Sequence, residues 1–135
     1  MKSQLLFAVI FAGVTWLFAA SRAAAHHAFA AEFDINQPVT LTGRVTKMEW
    51  TNPHAWLFMA AEDSDGKVQA WSVELVGTND LLRLGWGRNR VNVGDAISVA
   101  GYRARNGTST ANAASVTLTD SGELLWESVA KRNRP

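Results

Sequence analysis

From Val39 onward, the chain alternates apolar and polar residues over short segments that are separated by turn sequences. In residues 39–50, Val39, Leu41 and Val45 fall on one face, and threonines and Arg44 fall on the other. This period of two residues is typical of a half-buried β-strand. Four further strands are predicted in residues 55–61, 67–75, 96–105 and 111–120, with turn sequences such as DSDG and NGTST between them. The chain is therefore predicted to be all-β.

The first of these strands is predicted to bend. Gly43 lies inside it, and glycine within a strand often marks a bend or a close approach of another backbone. The alternation also slips near Lys47 and Met48, which is the pattern that a β-bulge produces. A long, bent first strand is a feature of small closed β-sheets.

A short helix is predicted in residues 77–86, between the third and fourth strands. Thr78 or Asn79 can serve as its N-cap, and Gly85 can end it. This order of elements predicts a five-stranded OB-like barrel with one short helix between strands 3 and 4. A β-sandwich is the main alternative, although so few strands would make a thin one.

Residues 1–25 have the pattern of a secretory signal peptide. One lysine provides a positive charge, residues 5–20 are apolar and uncharged, and Ala23 and Ala25 stand at positions −3 and −1 of a cut after Ala25. A retained membrane anchor is the alternative, but this apolar run is short of the roughly 18–20 residues that a spanning helix needs. We therefore predict a cleaved signal-peptide helix, a mature chain that begins at His26, and export to the bacterial periplasm.

The predicted mature chain divides into three parts. Residues 26–38 show no clear period and end in a proline, so they are predicted to form an extended N-terminal arm. Residues 39–126 are predicted to form the barrel, and residues 127–135 a basic C-terminal tail. A domain of this size is large enough to bury one hydrophobic core.

Composition excludes several classes of function. The 13 Lys and Arg residues against 12 Asp and Glu become 11 against 12 once Lys2 and Arg22 leave with the signal peptide. The domain therefore lacks the basic patch of a nucleic-acid binder. The chain has no cysteine, which excludes disulfides, zinc–thiolate sites and a thiol nucleophile. It also lacks a serine-hydrolase motif with a suitable histidine base, so we predict that it is not an enzyme.

The chain has three histidines, His26, His27 and His54. A cut after Ala25 would make His26 the N-terminal residue, whose α-amine and imidazole can chelate one metal ion together. One imidazole from His54 would complete a three-nitrogen set, a histidine brace, which suits Cu(II) in geometry and ligand type. His27 would supply a fourth nitrogen. The sequence therefore predicts a copper site formed by these three residues.

Other ligands and other metals stay open at this point. A cut two residues earlier would leave the N-terminal tripeptide Ala-Ala-His, whose amine, amides and imidazole form a square-planar set for Cu(II) or Ni(II). Met48 and Met59 are auxiliary candidates for Cu(I), although packing explains both equally well. Zinc would need a further ligand, for which Glu49 and Asp34 are candidates by their position in the sequence.

The tryptophans support an alternative function. Five of the six follow residue 25, and Trp50, Trp56 and Trp86 are candidates for a surface that binds a ligand or a protein by stacking, as OB barrels do. The alternative is therefore a metal-independent binding module. An oxidative copper enzyme built on the brace is a third interpretation, which the absence of a visible substrate groove disfavours.

Several segments of the chain resemble the DUF6152 family, small exported bacterial proteins of unassigned function. These segments are AHHAFAAEFD, VTLTGRVTKMEWTNPHAW, LLRLGW, VGDAISVAGYRA and NAASVTL. The resemblance extends from His26 to the region of Leu118. It implies a signal peptide and a compact β domain, and it implies no activity and no catalytic residue. All three histidines fall within its motif blocks, which adds weight to a shared role for them.

The function predicted from the sequence is that of an exported periplasmic copper carrier. Its role would be carriage, sequestration or delivery of the metal, with a periplasmic protein as the expected partner. No nucleic-acid partner is expected, and no association with the membrane is expected after the signal peptide is removed.

Overall fold

The computed structural model describes residues 29–62 and 65–128. Contacts between Cα atoms divide the chain into residues 1–32 and residues 33–135. Of the first unit, residues 29–32 are described, and they are helical. The predicted signal peptide, both N-terminal histidines and most of the predicted C-terminal tail lie outside the described residues.

The second unit is an all-β domain with one short helix. Its elements are β1 (Phe33–Glu49), β2 (Trp56–Glu62), β3 (Val68–Glu74), α1 (Thr78–Arg83), β4 (Ala96–Ala104), β5 (Thr110–Leu118) and β6 (Leu124–Glu127). Neighbouring strands in the sheet run in the order β3-β2-β1-β4-β5-β6, and β3 also pairs with β5. The all-β class and the helix between the third and fourth strands are therefore confirmed.

Two details of the predicted fold are corrected. The described residues contain six strands where five were predicted, because residues 124–127 add to the edge of β5 and bury Trp126 against the core. The predicted extended arm is not uniform, since residues 29–32 are helical and residues 33–38 belong to β1. Phe33 is buried and pairs with Ala104 of β4, which ties this segment to the sheet.

The long strand β1 joins the two sides of the sheet. Its first part pairs with β4, its last part pairs with β2, and residues 42–44 pair with both. Val39, Leu41 and Val45 are buried, as the alternation predicts. The register with β2 shifts between Val45 and Lys47, so the predicted irregularity is present.

The hydrophobic core is one cluster to which all six strands and α1 contribute. On β3, Trp71 and Val73 are buried, as the alternation predicts. On β2, the apolar run contributes Leu57 and Met59, both fully buried. The alternating pattern thus identified the inward faces of β1 and β3, whereas the apolar run of β2 predicted no preferred face.

The end of α1 is a Schellman motif. Gly85 has a φ of 85° and donates its N–H to the carbonyl of Leu82 at 3.1 Å, and Trp86 donates its N–H to the carbonyl of Leu81 at 2.9 Å. Leu81 and Trp86 are both buried, which supplies the hydrophobic contact that accompanies this motif. The predicted helix end at Gly85 is therefore confirmed. No helix within residues 29–62 and 65–128 has the length and apolar character that a bilayer crossing requires.

Candidate metal-binding site

The turn TNPH follows β1 and is held by hydrogen bonds on both sides. Thr51 Oγ1 donates to the backbone carbonyl of His54 at 2.9 Å. The N–H of Ala55 donates to the carbonyl of Val76 at 3.2 Å, and the N–H of Leu75 donates to the carbonyl of Ala55 at 2.9 Å. These bonds fix the backbone next to His54 against the chain that leaves β3.

Asn52, in the same turn, caps α1 from a distant part of the sequence. Its Oδ1 accepts hydrogen bonds from the backbone N–H and from Oγ1 of Thr78, both at 3.0 Å. The N-cap residue is Gly77, which makes no side-chain cap bond, so the predicted caps Thr78 and Asn79 are wrong. Asn52 instead satisfies a backbone donor that the first turn of a helix leaves without a partner.

A glycine at position 77 allows this close approach. A Cβ on Gly77 would lie 2.7 Å from the carbonyl oxygen of Pro53 and 3.1 Å from Oδ1 of Asn52. The first of these distances is shorter than real Cβ contacts allow, and its partner is backbone. The turn and the start of α1 therefore pack as one unit, with His54 at its edge.

Replacement of Asn52 by alanine is expected to lower the free energy of unfolding by about 1–2 kcal/mol. The substitution removes both hydrogen bonds that Thr78 donates to Asn52. Because Thr78 is buried, water cannot fully replace them. Urea denaturation measures the change. Asn52→Asp keeps the acceptor oxygen and is the matched control, expected to stay close to wild type; equal losses in the two variants would contradict the capping role.

His54 contacts a buried carboxylate at the end of β3. Its Nδ1 pairs with Oε1 of Glu74. The His54 side chain is 51% exposed, whereas the Glu74 side chain is 5% exposed. Glu74 is the cross-strand partner of Trp56 on β2, so the indole lies on the same face of the sheet as the carboxylate.

This arrangement gives the imidazole a defined chemical character. When the Glu74 carboxyl is ionised it accepts hydrogen bonds only, and the ring nitrogen that faces it then carries a proton. In the neutral ring the other nitrogen, Nε2, then holds a lone pair for a metal ion or a proton. Histidines that bind metals in proteins commonly donate the N–H of their other ring nitrogen to a carboxylate.

His54 is the single predicted histidine ligand that the described residues include. No group of three His, Cys, Asp or Glu side chains in residues 29–62 and 65–128 is arranged to hold a metal ion. The described part of the chain therefore offers one oriented nitrogen and no complete site. His26 and His27, the other predicted ligands, lie outside it.

The two predicted carboxylate ligands lie at opposite ends of β1. Glu49 accepts a hydrogen bond from Nζ of Lys47 at 2.5 Å. At the start of the strand, the backbone N–H of Asn36 holds the pKa of the Asp34 carboxyl below its usual value, and the Arg105 guanidinium adds to this effect. Both carboxylates thus have cationic partners of their own.

The predicted auxiliary and aromatic residues occupy different environments. Met59 is fully buried in the core, and Met48 packs against the core while partly exposed, so both serve in packing. Trp50 and Trp56 are partly exposed. Trp86 is 1% exposed, so this residue does not belong to a binding surface in this structure.

Glu74 is the residue of the site that the sequence did not reveal. The alternation in β3 places it on the face opposite Trp71, where a carboxylate is expected to be solvated. Its partner is supplied by a turn 20 residues earlier in the chain. A carboxylate at the end of an alternating strand was the available signal, but no spacing rule links it to His54.

A separate cavity of about 270 Å³ lies between the end of α1 and β6. Its lining residues are Leu84, Leu124, Leu125, Trp126 and Glu127. Leu84 and Leu124 are each about half exposed. The cavity shares no lining residue with the turn that carries His54.

Comparison with known proteins identifies one family. The profile of DUF6152, described as a family of unknown function, matches residues 15–113. This range covers the TNPH turn, Glu74 and the whole of α1. No curated protein and no solved structure matches the chain.

Proposed function

The chain belongs to DUF6152, a family of unknown function, and we propose that it is an exported periplasmic protein that binds copper. The ligands are His54 and the two N-terminal histidines, His26 and His27. The role of the protein is to carry or sequester the metal and to deliver it to a periplasmic protein partner. It performs no catalysis itself.

The observation that carries this proposal is the pairing of His54 with Glu74. A histidine that merely caps a turn needs no buried carboxylate on Nδ1, and burial of a carboxylate is costly unless the charge is paired. Here the carboxylate is buried and the imidazole is half exposed. This is the arrangement expected of a metal-binding histidine with its supporting residue.

The second part of the site depends on removal of the signal peptide. Cleavage after Ala25 gives His26 a free α-amine, which binds a metal together with the imidazole of the same residue. With His54 this makes a three-nitrogen set, and nitrogen ligands in that geometry suit Cu(II). Without cysteine in the chain, imidazole and amine nitrogens are the strongest ligands for copper that it contains.

We also propose that the sheet is closed as an OB-like barrel. β3 pairs with β2 on one edge and, in parallel, with β5 on the other, through residues 72–74 and 110–112. This supports a closed order β1-β2-β3-β5-β4, with β6 added beside β5. Leu81 of α1 is fully buried, which supports a helix that covers one end of the barrel.

A metal-independent binding module is the second candidate function. It is favoured by the outer face of β2 and β3, where Trp56 and Phe58 are partly exposed and Ala60, Val68 and Ala70 are exposed. An exposed face with several apolar side chains is typical of interaction surfaces. A Phe58→Ala variant would then lose its partner while keeping copper affinity, which separates the two functions.

Copper titration of the exported protein tests the first proposal. His54→Ala is expected to weaken Cu(II) binding by roughly 100-fold or more. This is a larger loss than the 10- to 100-fold loss of affinity that follows mutation of a residue hydrogen-bonded to a metal ligand. Glu62→Gln is the control, because Glu62 is an exposed carboxylate at the end of β2 and is not expected to change the affinity. Isothermal titration against a competing chelator measures the dissociation constants.

Two results would contradict the copper site. One is an intact mass showing that the exported chain begins elsewhere than residues 24–26, since the amine would then stand in the wrong place. The other is sub-micromolar Cu(II) binding, about 8 kcal/mol or better, that is unchanged in His54→Ala.

A further inference from the structure

We infer that Glu74 is a positioning residue that fixes the His54 imidazole with its proton on Nδ1 and makes Nε2 the metal-binding atom. The inference rests on the proposed copper function and deepens it. It assigns a role to a residue that the sequence did not single out, and it specifies which of the two ring nitrogens faces the metal.

The carboxylate is held by the sheet rather than by a loop. Glu74 pairs with Trp56 of β2 on one side and with Asn112 of β5 on the other. Its backbone is therefore fixed by both neighbouring strands. A group on a regular element positions its partner more accurately than a group on a loop does.

The imidazole is fixed from the opposite direction. The TNPH turn is tied down through Thr51, through the two bonds that Asn52 accepts, and through the close approach of Gly77 to Pro53. These contacts fix the backbone of His54 independently of the contact between its side chain and Glu74. The ring is anchored at its backbone and at Nδ1.

The exposed fractions determine which nitrogen can reach a ligand. Glu74 is almost fully buried, so the Nδ1 side of the ring faces the protein, while half of the His54 side chain remains exposed to solvent. A metal ion therefore approaches Nε2. Because the tautomer is already set, binding does not require the proton to move between the two nitrogens, and this favours affinity.

The tautomer can be measured directly in the metal-free protein. Long-range ¹H–¹⁵N NMR spectra of the wild-type protein at mildly alkaline pH distinguish the protonated nitrogen from the unprotonated one. His54→Ala assigns the signals. We expect a protonated Nδ1 and an unprotonated Nε2. A proton on Nε2, in either the neutral or the charged ring, would overturn the inference. This measurement needs no variant of Glu74.

Glu74→Gln tests the link to the metal. The amide can accept from Nδ1 through its oxygen or donate to it through its nitrogen, so both tautomers are expected to appear in the metal-free spectrum. Cu(II) affinity is expected to fall by about 10- to 100-fold. Glu62→Gln, an exposed carboxylate at the end of β2, is the matched control and is expected to change neither quantity.

The outcomes separate this inference from the proposed function. If Glu74→Gln lowers the thermal midpoint but leaves the tautomer and the Cu(II) affinity unchanged, Glu74 is structural only and the inference fails. In that case His54→Ala would still weaken Cu(II) binding by roughly 100-fold or more, and the copper function would stand. If His54→Ala leaves binding intact, the copper function fails, whatever tautomer His54 adopts.

Discussion

Replacement of Trp86 by alanine is expected to lower the free energy of unfolding by about 3–5 kcal/mol. Trp86 is 1% exposed and is among the largest fully buried side chains of the described residues. It follows Gly85 in the Schellman motif and packs in the same core cluster as Leu81. Truncation would leave a cavity in the core at the end of α1, because the neighbouring side chains can fill such a space only in part.

Chemical denaturation with linear extrapolation measures this loss. Leu82→Ala is the matched control, since Leu82 lies in the same helix with 54% of its surface exposed and is expected to change stability by about 0.5 kcal/mol or less. A Trp86→Ala variant of near-wild-type stability that lost affinity for a ligand or partner would instead return Trp86 to the binding surface predicted from the sequence.

Replacement of Gly43 by alanine is the second large effect, expected to cost about 3 kcal/mol. A Cβ at this position would lie 2.0 Å from the carbonyl oxygen of Ala60 and 2.7 Å from the Cα of Ala61. Both atoms are backbone of the paired strand β2. They cannot move aside as a flexible side chain would, so β1 and β2 must separate where residues 42–44 pair with two strands at once.

Gly87→Ala supplies the matched control for this substitution. No atom lies within 4 Å of a Cβ built at Gly87, and its φ is outside the left-handed region. Alanine there is expected to be neutral or to stabilise slightly, by restricting the unfolded chain. The thermal midpoint and the denaturant midpoint of both variants measure this difference in stability. Equal stability of the two would show that β1 and β2 have room for a side chain at Gly43.

The strands and their buried faces could be predicted because their signals are local. Leu41, Val73 and Val99 are buried because alternation along a strand sends successive side chains to opposite faces of the sheet. The end of α1 at Gly85 is local in the same sense, since a residue with positive φ is needed there and glycine adopts it without strain. The sixth strand was not counted among the five predicted, because a four-residue segment carries too short a pattern to identify as a strand of the sheet.

The start of α1 shows where local reasoning fails. The first two residues of the helix, Thr78 and Asn79, are of types that often cap helices, yet the capping oxygen comes from Asn52. Capping propensity describes how well a residue can cap a helix that begins at its own position in the sequence. It carries no information about an acceptor that folding brings from 26 residues away.

The candidate site also combines features that the sequence could predict with features that depend on contacts between distant segments. The amino-acid types indicated that nitrogen atoms would be the main ligands of the proposed metal site, because the chain has three histidines and no cysteine. The sequence also indicated that His54 stands in a turn between two strands. The partner of His54 was decided by tertiary structure alone. Pairing of β2 with β3 and docking of the TNPH turn bring Glu74 to the imidazole.

The all-β class, the inward faces of β1 and β3 and the end of the helix could be predicted from local sequence, since each depends on the periodicity or the conformational preference of neighbouring residues. Folding of the whole domain settled which strand edges meet, which residue caps α1, and that Trp86 belongs to the core. It also decided that a buried carboxylate stands behind His54. Each of these depends on contacts between segments far apart in the chain, and burial and hydrogen-bond satisfaction across the whole domain select them together.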